Sequence, residues 1–317
     1  MRYRQLGDSG LTVSVVGLGC NNFGSRLDLD GTRAVVDAAL DAGVTLFDTS
    51  DSYGQGGSEE LLGEVLAGRR DEVVLATKFG SDMGAANGPA WEARASRRYV
   101  RRALEASLRR LRTDHIDLYQ LHRPDGVTPF EETLSALDEV VREGKVRYAG
   151  SSNLAAWQVA DADWLARDRR TVRFVSAQNH YSLLHRGAEA ELVPACLHHG
   201  VGVLPYFPLA DGFLTGKLRR GGQAPAGSRL GEERVRARLP AGAFDRLEAL
   251  QGFAAERGVT LLDVAIGGLA AQPAVASVIA GATRPEQVEA NAAAGEWQPA
   301  PDDLAGLDRA APAPRTG

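Results

Sequence analysis

The chain has 317 residues, of which 44% are hydrophobic and 24% are charged, so it is long enough to bury a large core. A formal net charge of -5 and a pI near 5.8 give no overall basic surface, and nucleic acid is therefore not an expected partner. The chain has no run of about 18 apolar residues, and MRYRQLGDSG at its start lacks the apolar stretch of a secretory signal, so we expect no membrane association and a cytoplasmic location.

Short apolar runs alternate with amphipathic segments from one end of the chain to the other. Residues 2–14, with GDSG between two short runs, predict a β-hairpin that precedes the main fold and closes its bottom. The eight strand-like runs that follow are VSVVGLGC from Val13, TLFDTS from Thr45, VVLATKF from Val73, IDLYQLH from Ile116, VRYAGSS from Val146, FVSAQNH from Phe174, GVLPYF from Gly202 and VASVIAG from Val275.

Near-continuous apolar strands separated by helices are typical of a parallel sheet that is buried on both faces. Eight such units predict an α/β fold, a closed (β/α)8 TIM barrel, and we expect residues 1–317 to form this one domain. Between the strands, segment 96–112 places apolar residues on one helical face. A second helix is expected to begin with a capping box of Thr128 and Glu131, with Pro129 in its first position, and to end at Gly144.

Four polar residues, Asp48, Tyr53, Lys78 and His122, fall at or just past the ends of successive apolar runs. In a barrel of this kind the carboxyl ends of the strands carry the chemistry, and a carboxylate, a phenol, an ammonium and an imidazole there favour a proton-donating site. Three of the four residues also have a structural alternative, whereas a lysine in such a position is rarely buried without a charged partner. Tyr53 could be a half-buried aromatic, Asp48 a turn residue for whose role Asp51 competes, and His122 a packing residue.

Seven segments extend the pattern over most of the chain, and their matches run from about Gly17 to Asn291. They are GVTLFDTSDSYG, TKFG, LYQLHRPD, AGSSN, AQNHYS, LPYFPLADGFLTGK and VIAGATRPEQVEAN. In order and spacing they resemble the aldo-keto reductases, and the GATRPEQVEAN ending resembles a bacterial branch similar to the β-subunits of potassium channels. The resemblance implies an alcohol:NAD(P)+ oxidoreductase that transfers hydride from nicotinamide to an aldehyde or ketone.

The resemblance also implies a role for each of the four strand-end residues. Tyr53 would donate the proton to the carbonyl oxygen, and Lys78 would lower the pKa of that phenol by about 1–3 units from about 10. Asp48 would keep Lys78 charged and oriented, because an unpaired buried ammonium is costly. His122 would orient the carbonyl group and assist the proton transfer.

The nicotinamide end of the expected cofactor site involves two amide side chains, a hydroxyl and an aromatic ring. The resemblance gives the carboxamide to Ser152, Asn153 and Gln178, and it stacks Tyr206 on the nicotinamide ring. Where the family usually has Ser-Pro-Leu after this aromatic, the chain has the expected cofactor-binding residues Phe207, Pro208 and Leu209. One hydroxyl is lost by this change, so the phosphate contacts at this point should come from backbone amides or neighbouring residues. A long loop after the seventh strand is expected to cover the dinucleotide, with pyrophosphate contacts from Gly212, Leu214, Thr215 and Lys217.

The adenosine end is expected where a strand leads into a helix at Pro285, since a helix N-terminus favours a phosphate group. The residues implied there are Gly281, Thr283, Arg284, Gln287 and Asn291. NADPH is the expected cofactor, although glycine and alanine at 281–282 and glutamine at 287 stand where some relatives have Lys-Ser and Arg, so NADH is possible. No metal is expected, because Cys20 and Cys196 lie far apart without CxxC spacing.

Two alternatives remain open at this point. The smaller set of side chains that could hold a 2′-phosphate permits an NAD-dependent sugar or polyol dehydrogenase on the same fold. A cofactor-bound regulatory or channel-associated subunit with little turnover would share the same motifs. The candidate pocket walls are Asn21, Asn22, Phe23, Tyr53, Met83, Trp91, Arg123 and Phe207. The polar members of this set favour a small oxygenated carbonyl compound as substrate, and the sequence indicates no particular oligomeric state.

Overall fold

The computed structural model describes residues 1–89, 91–224, 229–231, 233, 237 and 239–314. An antiparallel hairpin of β1 (Tyr3–Gln5) and β2 (Thr12–Ser14) comes first. The main sheet contains β3 (Val16–Gly19), β4 (Leu46–Asp48), β5 (Val74–Phe79), β6 (Ile116–Leu121), β7 (Val146–Ser152), β8 (Phe174–His180), β9 (Gly202–Tyr206) and β10 (Val278–Gly281). Its strands are parallel in the order β10-β3-β4-β5-β6-β7-β8-β9.

The two edges of this sheet approach each other next to β9. The Val203 N–H donates to the Ala274 carbonyl over 2.7 Å, and the Val203 carbonyl accepts from the Ala276 N–H over 2.9 Å. Eight parallel strands therefore form a nearly closed barrel, and the predicted (β/α)8 fold is confirmed.

Helices surround the barrel and connect its strands. Within the described residues they are α1 (Leu29–Asp41), α2 (Gly57–Val65), α3 (Arg97–Leu111), α4 (Phe130–Arg142), α5 (Ala156–Arg169), α6 (Leu192–His199), α7 (Ala243–Glu256), α8 (Leu261–Ala270), α9 (Pro285–Ala294) and α10 (Pro301–Ala310). The predicted helix at 96–112 is confirmed as α3, which the Ser96 hydroxyl caps by accepting from the Tyr99 N–H. None of the described helices combines the length and the apolarity that crossing a bilayer requires.

Two predicted boundaries are wrong for local reasons. The first apolar run, from Val13, is divided between β2 and β3, because the Ser14 hydroxyl donates to the Val16 carbonyl and accepts from the Thr45 N–H where the hairpin meets the barrel. The capping box at Thr128 does not form, since that side chain donates instead to Asp125 over 2.7 Å and Pro129 is the N-cap of α4. Gly144 does follow the helix in a left-handed conformation, with φ 76°.

The hairpin closes the amino-terminal end of the barrel, as predicted. The Asp8 N–H donates to the Gly200 carbonyl over 2.8 Å, just before β9, and Arg4 Nη1 donates to the carbonyls of Ala270 and Val275. Leu6 belongs to a buried apolar cluster that fills the barrel interior from below. The opposite end of the barrel, where the strands finish, is left for the polar side chains.

Candidate active site

The four predicted catalytic residues meet at the carboxyl ends of β4, β5 and β6. Lys78, which has no exposed surface, donates to Asp48 Oδ2 over 2.7 Å, to the Thr49 carbonyl over 2.8 Å and to the Tyr53 hydroxyl over 3.3 Å. Tyr53 begins a short turn in which Gly54 and Gln55 adopt left-handed conformations and redirect the chain after β4. The ammonium thus has an oxygen partner for each of its three N–H groups.

Burial and charge act in opposite directions on Lys78 and Tyr53. Burial alone lowers the pKa of Lys78, but Asp48 and the Tyr53 oxygen outweigh it and raise that pKa above 10.5. Burial raises the pKa of Tyr53 above 10.0, and the opposing field of Lys78 does not overcome it. The sequence-based expectation that Lys78 brings this phenol towards neutral is therefore wrong for the protein alone, because desolvation is the larger effect.

His122 lies edge-on to Tyr53, with 6.1 Å between the ring centroids. Its Nδ1 is 2.9 Å from the Ser81 hydroxyl and 3.2 Å from the Ser50 hydroxyl. Burial, followed by the positive charges of Lys78 and Arg123, lowers the pKa of His122 to about 3. The imidazole is consequently neutral at ordinary pH, with one nitrogen protonated and one able to accept.

Asp48 is held by two amides that the sequence analysis did not assign to it. Gln120 Nε2 donates to Asp48 Oδ1 over 3.1 Å, and Gln178 Nε2 donates to the same oxygen over 2.8 Å. The sequence contains a signal for Gln120, which is a polar residue in the otherwise apolar end of β6. The structure buries this side chain fully. Asp51, the possible competitor of Asp48, is directed elsewhere and accepts from Asn87 and Ser50.

The residues predicted for the nicotinamide surround one cavity together with Tyr53 and His122. This cavity has a volume of about 840 Å³. Tyr206 donates its hydroxyl proton to Asn153 Oδ1 over 2.8 Å, while Asn153 Nδ2 donates to the His122 carbonyl and to Ser152 Oγ. The structure therefore brings Ser152, Asn153, Gln178 and Tyr206 together, as the sequence predicted.

The side chains that line this part of the cavity suit a carboxamide group. Because Gln178 directs Nε2 at the Asp48 carboxylate, its Oε1 must be directed elsewhere, and no described residue donates a hydrogen bond to it. The Ser152 hydroxyl is already used as a donor to the Gln178 carbonyl over 2.8 Å. Lone pairs on Gln178 and Asn153 thus remain for an amide NH2 group, which a nicotinamide supplies.

The chain after β9 has an unusual backbone. Phe207, Ala210 and Asp211 are non-glycine residues with φ of 55°, 47° and 57°, a left-handed region that costs energy and is concentrated at functional sites. Before them, the Tyr206 ring lies parallel to His180, with an interplanar angle of 12° and 5.5 Å between centroids. This segment begins the predicted cofactor-covering loop, part of which lies outside the described residues.

One residue predicted for the pyrophosphate does not face the cavity. Leu214 has no exposed surface and packs with Phe213 and Leu218 into a second apolar cluster that includes residues of α7 and α8. The other loop residues of the prediction, Phe207, Pro208, Leu209, Gly212, Thr215 and Lys217, line the cavity. Leu214 therefore anchors the base of the loop, because an apolar side chain gains more from burial than from a polar ligand.

The predicted adenosine residues Gly281, Thr283, Arg284, Gln287 and Asn291 line the far end of the same cavity. Arg284 is the N-cap residue of α9, and Pro285 is its first helical residue. Gln287 Oε1 accepts from both the N–H and the hydroxyl of Thr283, over 2.8 and 3.2 Å, so this side chain rigidifies the turn. Glu286 also lines this end and brings a negative charge next to Arg284.

The expected pocket walls are only partly correct. Asn21, Asn22 and Arg123 line the cavity, and so does Arg26, which the sequence analysis did not single out. Phe23 and Met83 are buried away from it, whereas Trp91 is 75% exposed and does not line it. Aromatic and thioether side chains in loops are often packing residues, and sequence position alone does not separate the two roles.

Comparison with known proteins shows a match over nearly the whole chain. A sequence model described as the Aldo/keto reductase family matches residues 15–311.

Curated relatives match with similar coverage. The uncharacterized oxidoreductase YrpG of Bacillus subtilis (strain 168) is 39% identical over 296 residues, covering 91% of this chain and 89% of the relative. A probable voltage-gated potassium channel subunit beta of Arabidopsis thaliana is 36% identical, with 92% and 90% covered. L-glyceraldehyde 3-phosphate reductase of Escherichia coli (strain K12) is 35% identical, with 92% and 86% covered.

Proposed function

The chain belongs to the aldo/keto reductase family, and we propose that it reduces an aldehyde or ketone to an alcohol with NADPH as hydride source and Tyr53 as proton donor. Family membership and the reductases among its relatives support an NAD(P)H-dependent oxidoreductase that acts on carbonyl groups. The finer proposal depends on one observation above all. Tyr53 lines the cavity with Lys78 and Asp48 directly behind its hydroxyl.

This arrangement suits a donor that must carry its proton at neutral pH and then release it. The raised pKa of Tyr53 keeps the phenol protonated before the reaction. When bound, NADPH would supply the hydride, and charge then develops on the substrate oxygen. As the phenol gives up its proton, Lys78 donates a hydrogen bond to the phenolate oxygen and offsets its charge, while Asp48 keeps the ammonium in place.

NADPH is favoured over NADH by the far end of the cavity. Arg284 stands at the N-terminus of α9, where unpaired N–H groups and the helix dipole favour an anion. Arg284 forms no ion pair with any residue in the described part of the chain, so its charge is available to a 2′-phosphate. The carboxylate of Glu286 opposes this preference, which makes the expected selectivity moderate.

The substrate that fits best is a small, oxygenated aldehyde. Arg123 lines the cavity immediately after His122 in the sequence and makes no ion pair with a described residue. Asn21 and Asn22 add polar surface at the same end of the barrel. The name of the Escherichia coli relative, L-glyceraldehyde 3-phosphate reductase, agrees with a substrate of this type.

Steady-state turnover of wild type and of Tyr53→Phe tests the proposal. We expect NADPH-dependent reduction of glyceraldehyde and of a nitrobenzaldehyde by wild type, and a decrease of about 10²–10⁴ in Tyr53→Phe with NADPH binding retained. Tyr148→Phe, which changes a tyrosine on β7 that does not line the cavity, is the matched control and should keep its activity. Undiminished turnover in Tyr53→Phe would remove Tyr53 as donor. A wild-type protein that gives only about one slow turnover per bound cofactor would favour a regulatory subunit.

A further inference from the structure

Asp51 is a buried carboxyl group for which the proposed reaction has no use. It lies between β4 and the Tyr53 turn and has no exposed surface. Asn87 Nδ2 donates to Asp51 Oδ2 over 2.8 Å, and the Ser50 hydroxyl donates to Asp51 Oδ1 over 3.1 Å. The same Ser50 Oγ is 3.2 Å from His122 Nδ1. A continuous hydrogen-bonded chain therefore joins Asp51 to the imidazole that lines the cavity.

The Ser50 hydroxyl can transmit a change along this chain because its bonding capacity is limited. A hydroxyl has one proton to donate and two lone pairs that accept. The Ser52 N–H donates to Ser50 Oγ over 3.2 Å and occupies one lone pair. When the remaining proton and lone pair serve Asp51 and His122, the chain has two arrangements. The Ser52 hydroxyl also lies 3.0 Å from Ser50 Oγ. Ser52→Ala removes this additional partner and so tests whether it matters for the chain.

The two arrangements differ in which nitrogen of His122 is protonated. With Asp51 ionised, Ser50 donates to Asp51 and accepts from the Nδ1–H of His122, which leaves Nε2 with a lone pair. With Asp51 protonated, its O–H donates to Ser50 and Ser50 donates to Nδ1, which places the imidazole proton on Nε2. One proton is taken up at Nε2, the Nδ1 proton moves to Ser50, and the Ser50 proton moves to Asp51.

We propose that Asp51 is a positioning residue that, through Ser50, selects which nitrogen of His122 carries the proton. The consequence for catalysis rests on the proposed function and on the expectation that His122 orients the substrate carbonyl. A carbonyl oxygen can only accept, so His122 can orient it only while Nε2 carries the proton. Protonated Asp51 thus favours reduction, and the reverse oxidation, which passes through the same transition state, uses the same tautomer of His122.

The surroundings of Asp51 place its protonation, and with it the change of the His122 tautomer, near neutral pH. Burial, followed by the negative charge of Glu59, raises the pKa of Asp51 to about 7, against the lowering effects of Ser50 and Arg110. Glu59 itself accepts from Arg110 Nε over 2.6 Å and from the Thr77 hydroxyl over 2.5 Å. The titratable and charged groups around Asp51 are Glu59 on α2, Tyr99 and Arg110 on α3, Tyr119 on β6 and Lys78 on β5. His122 is neutral in both arrangements, since its pKa lies near 3.

The direct test is nitrogen NMR of the cofactor-free protein labelled with ¹⁵N-histidine. His122→Gln identifies the resonances, and the ring nitrogen shifts report which nitrogen is protonated. As the pH rises through about 7, we expect the proton of His122 to move from Nε2 to Nδ1. This measurement needs neither cofactor nor substrate, so it can fail while the proposed reductase activity stands, and the activity can fail while the tautomer change is seen.

Variants then separate positioning from a purely structural role. In Asp51→Asn the amide oxygen can accept from Asn87 while Nδ2 donates to Ser50, which fixes the arrangement of protonated Asp51. We expect Nε2 to stay protonated at every pH in this variant. In wild type, kcat/KM for reduction should fall about tenfold for each pH unit above about 7, and Asp51→Asn should lose this pH dependence.

Ser50→Ala breaks the chain while leaving the carboxyl group in place, and it serves as the second variant should Asp51→Asn fail to fold. We expect its His122 tautomer to be independent of pH near 7. Ser81→Ala and Ser52→Ala are the matched controls, because each removes a hydroxyl next to His122 Nδ1 or Ser50 Oγ without interrupting the chain. Both variants should keep the change of His122 tautomer near pH 7 that is expected in wild type. A wild-type tautomer that does not change with pH, or a tautomer change that persists in Ser50→Ala, would overturn the proposal.

Discussion

At the scale of single residues, the site depends on how a fully buried ammonium is accommodated. Lys78 has three oxygen partners, and its carboxylate partner, Asp48, accepts in turn from Gln120 and Gln178. A buried ion pair is maintained only when such further hydrogen bonds satisfy its remaining lone pairs and protons. The same amide from Gln178 also lines the cavity, so the support of the ion pair and the expected nicotinamide site share a residue.

Removing the ammonium should therefore affect stability as well as activity. In Lys78→Met, Asp48 remains buried without its cation, and we expect a loss of about 3–5 kcal/mol in the free energy of unfolding. Reduction should fall by at least about 10², because the phenolate charge is no longer offset. Urea unfolding and NADPH consumption measure the two effects. Lys145→Met, which breaks a half-exposed pair with Glu105, is the control and should cost less than about 1 kcal/mol. Equal effects in the two variants would contradict the role of Lys78.

At the scale of elements, the far end of the cavity depends on the N-terminus of α9. The N–H and hydroxyl of Thr283 are bonded to Gln287, so the turn is held from within the helix and Arg284 extends from a fixed backbone. Within this turn, Arg284 and the helix dipole would therefore face the proposed 2′-phosphate, with Glu286 opposing them.

Charge changes at this helix should alter the affinity for NADPH and leave the affinity for NADH nearly constant. In Arg284→Gln we expect NADPH to bind about 10- to 100-fold more weakly, the scale of a hydrogen bond to a charged group. Glu286→Gln removes the opposing charge from the same turn and should strengthen NADPH binding. Titration of intrinsic fluorescence with each dinucleotide gives both constants. If NADH binds wild type as tightly as NADPH does, the assignment of the phosphate to Arg284 is wrong.

At the scale of the whole molecule, the elements that stabilise the barrel and the residues of the candidate active site lie at opposite ends. The hairpin covers the end where strands begin, and the polar residues occupy the end where they finish. Gly7 shows how tightly the support is built. Its φ is 57°, and a Cβ at this position would lie 2.5 Å from the Gly200 carbonyl and 2.7 Å from the Val175 carbonyl.

A substitution at this glycine should therefore lower stability without changing the chemistry. We expect Gly7→Ala to lower the thermal midpoint by several degrees or more, because the left-handed backbone costs about 1–2 kcal/mol and the Cβ also displaces neighbouring backbone. The kcat per folded molecule, measured well below the transition, should equal that of wild type. Gly68→Ala is the control, since its φ is 79° but no atom lies within 4 Å of the added carbon. It should show the backbone cost alone, and an equally large effect there would refute the role of close packing at Gly7.

The sequence by itself determined the barrel, the hairpin and the residues that meet at the strand ends. The hydrophobic pattern of the sequence indicates the strand-forming runs, their burial in a parallel sheet and the residues just past each strand. The resemblance to the aldo-keto reductases indicated the segments that line the cavity, which lie at or just past the carboxyl ends of β7, β8, β9 and β10.

Only the tertiary structure decided which of these side chains contact one another. Leu214 is turned into a second apolar cluster, Thr128 is bonded by Asp125, and Gln120 is brought to Asp48 from two strands away. The sequence-based expectation for the pKa of Tyr53 was wrong for the same reason. Burial and the distance between charges are set by chain segments that are remote in sequence, and the pKa depends on the balance of both. The connection from Asp51 through Ser50 to His122 spans two strand ends, so it exists only once the barrel has folded.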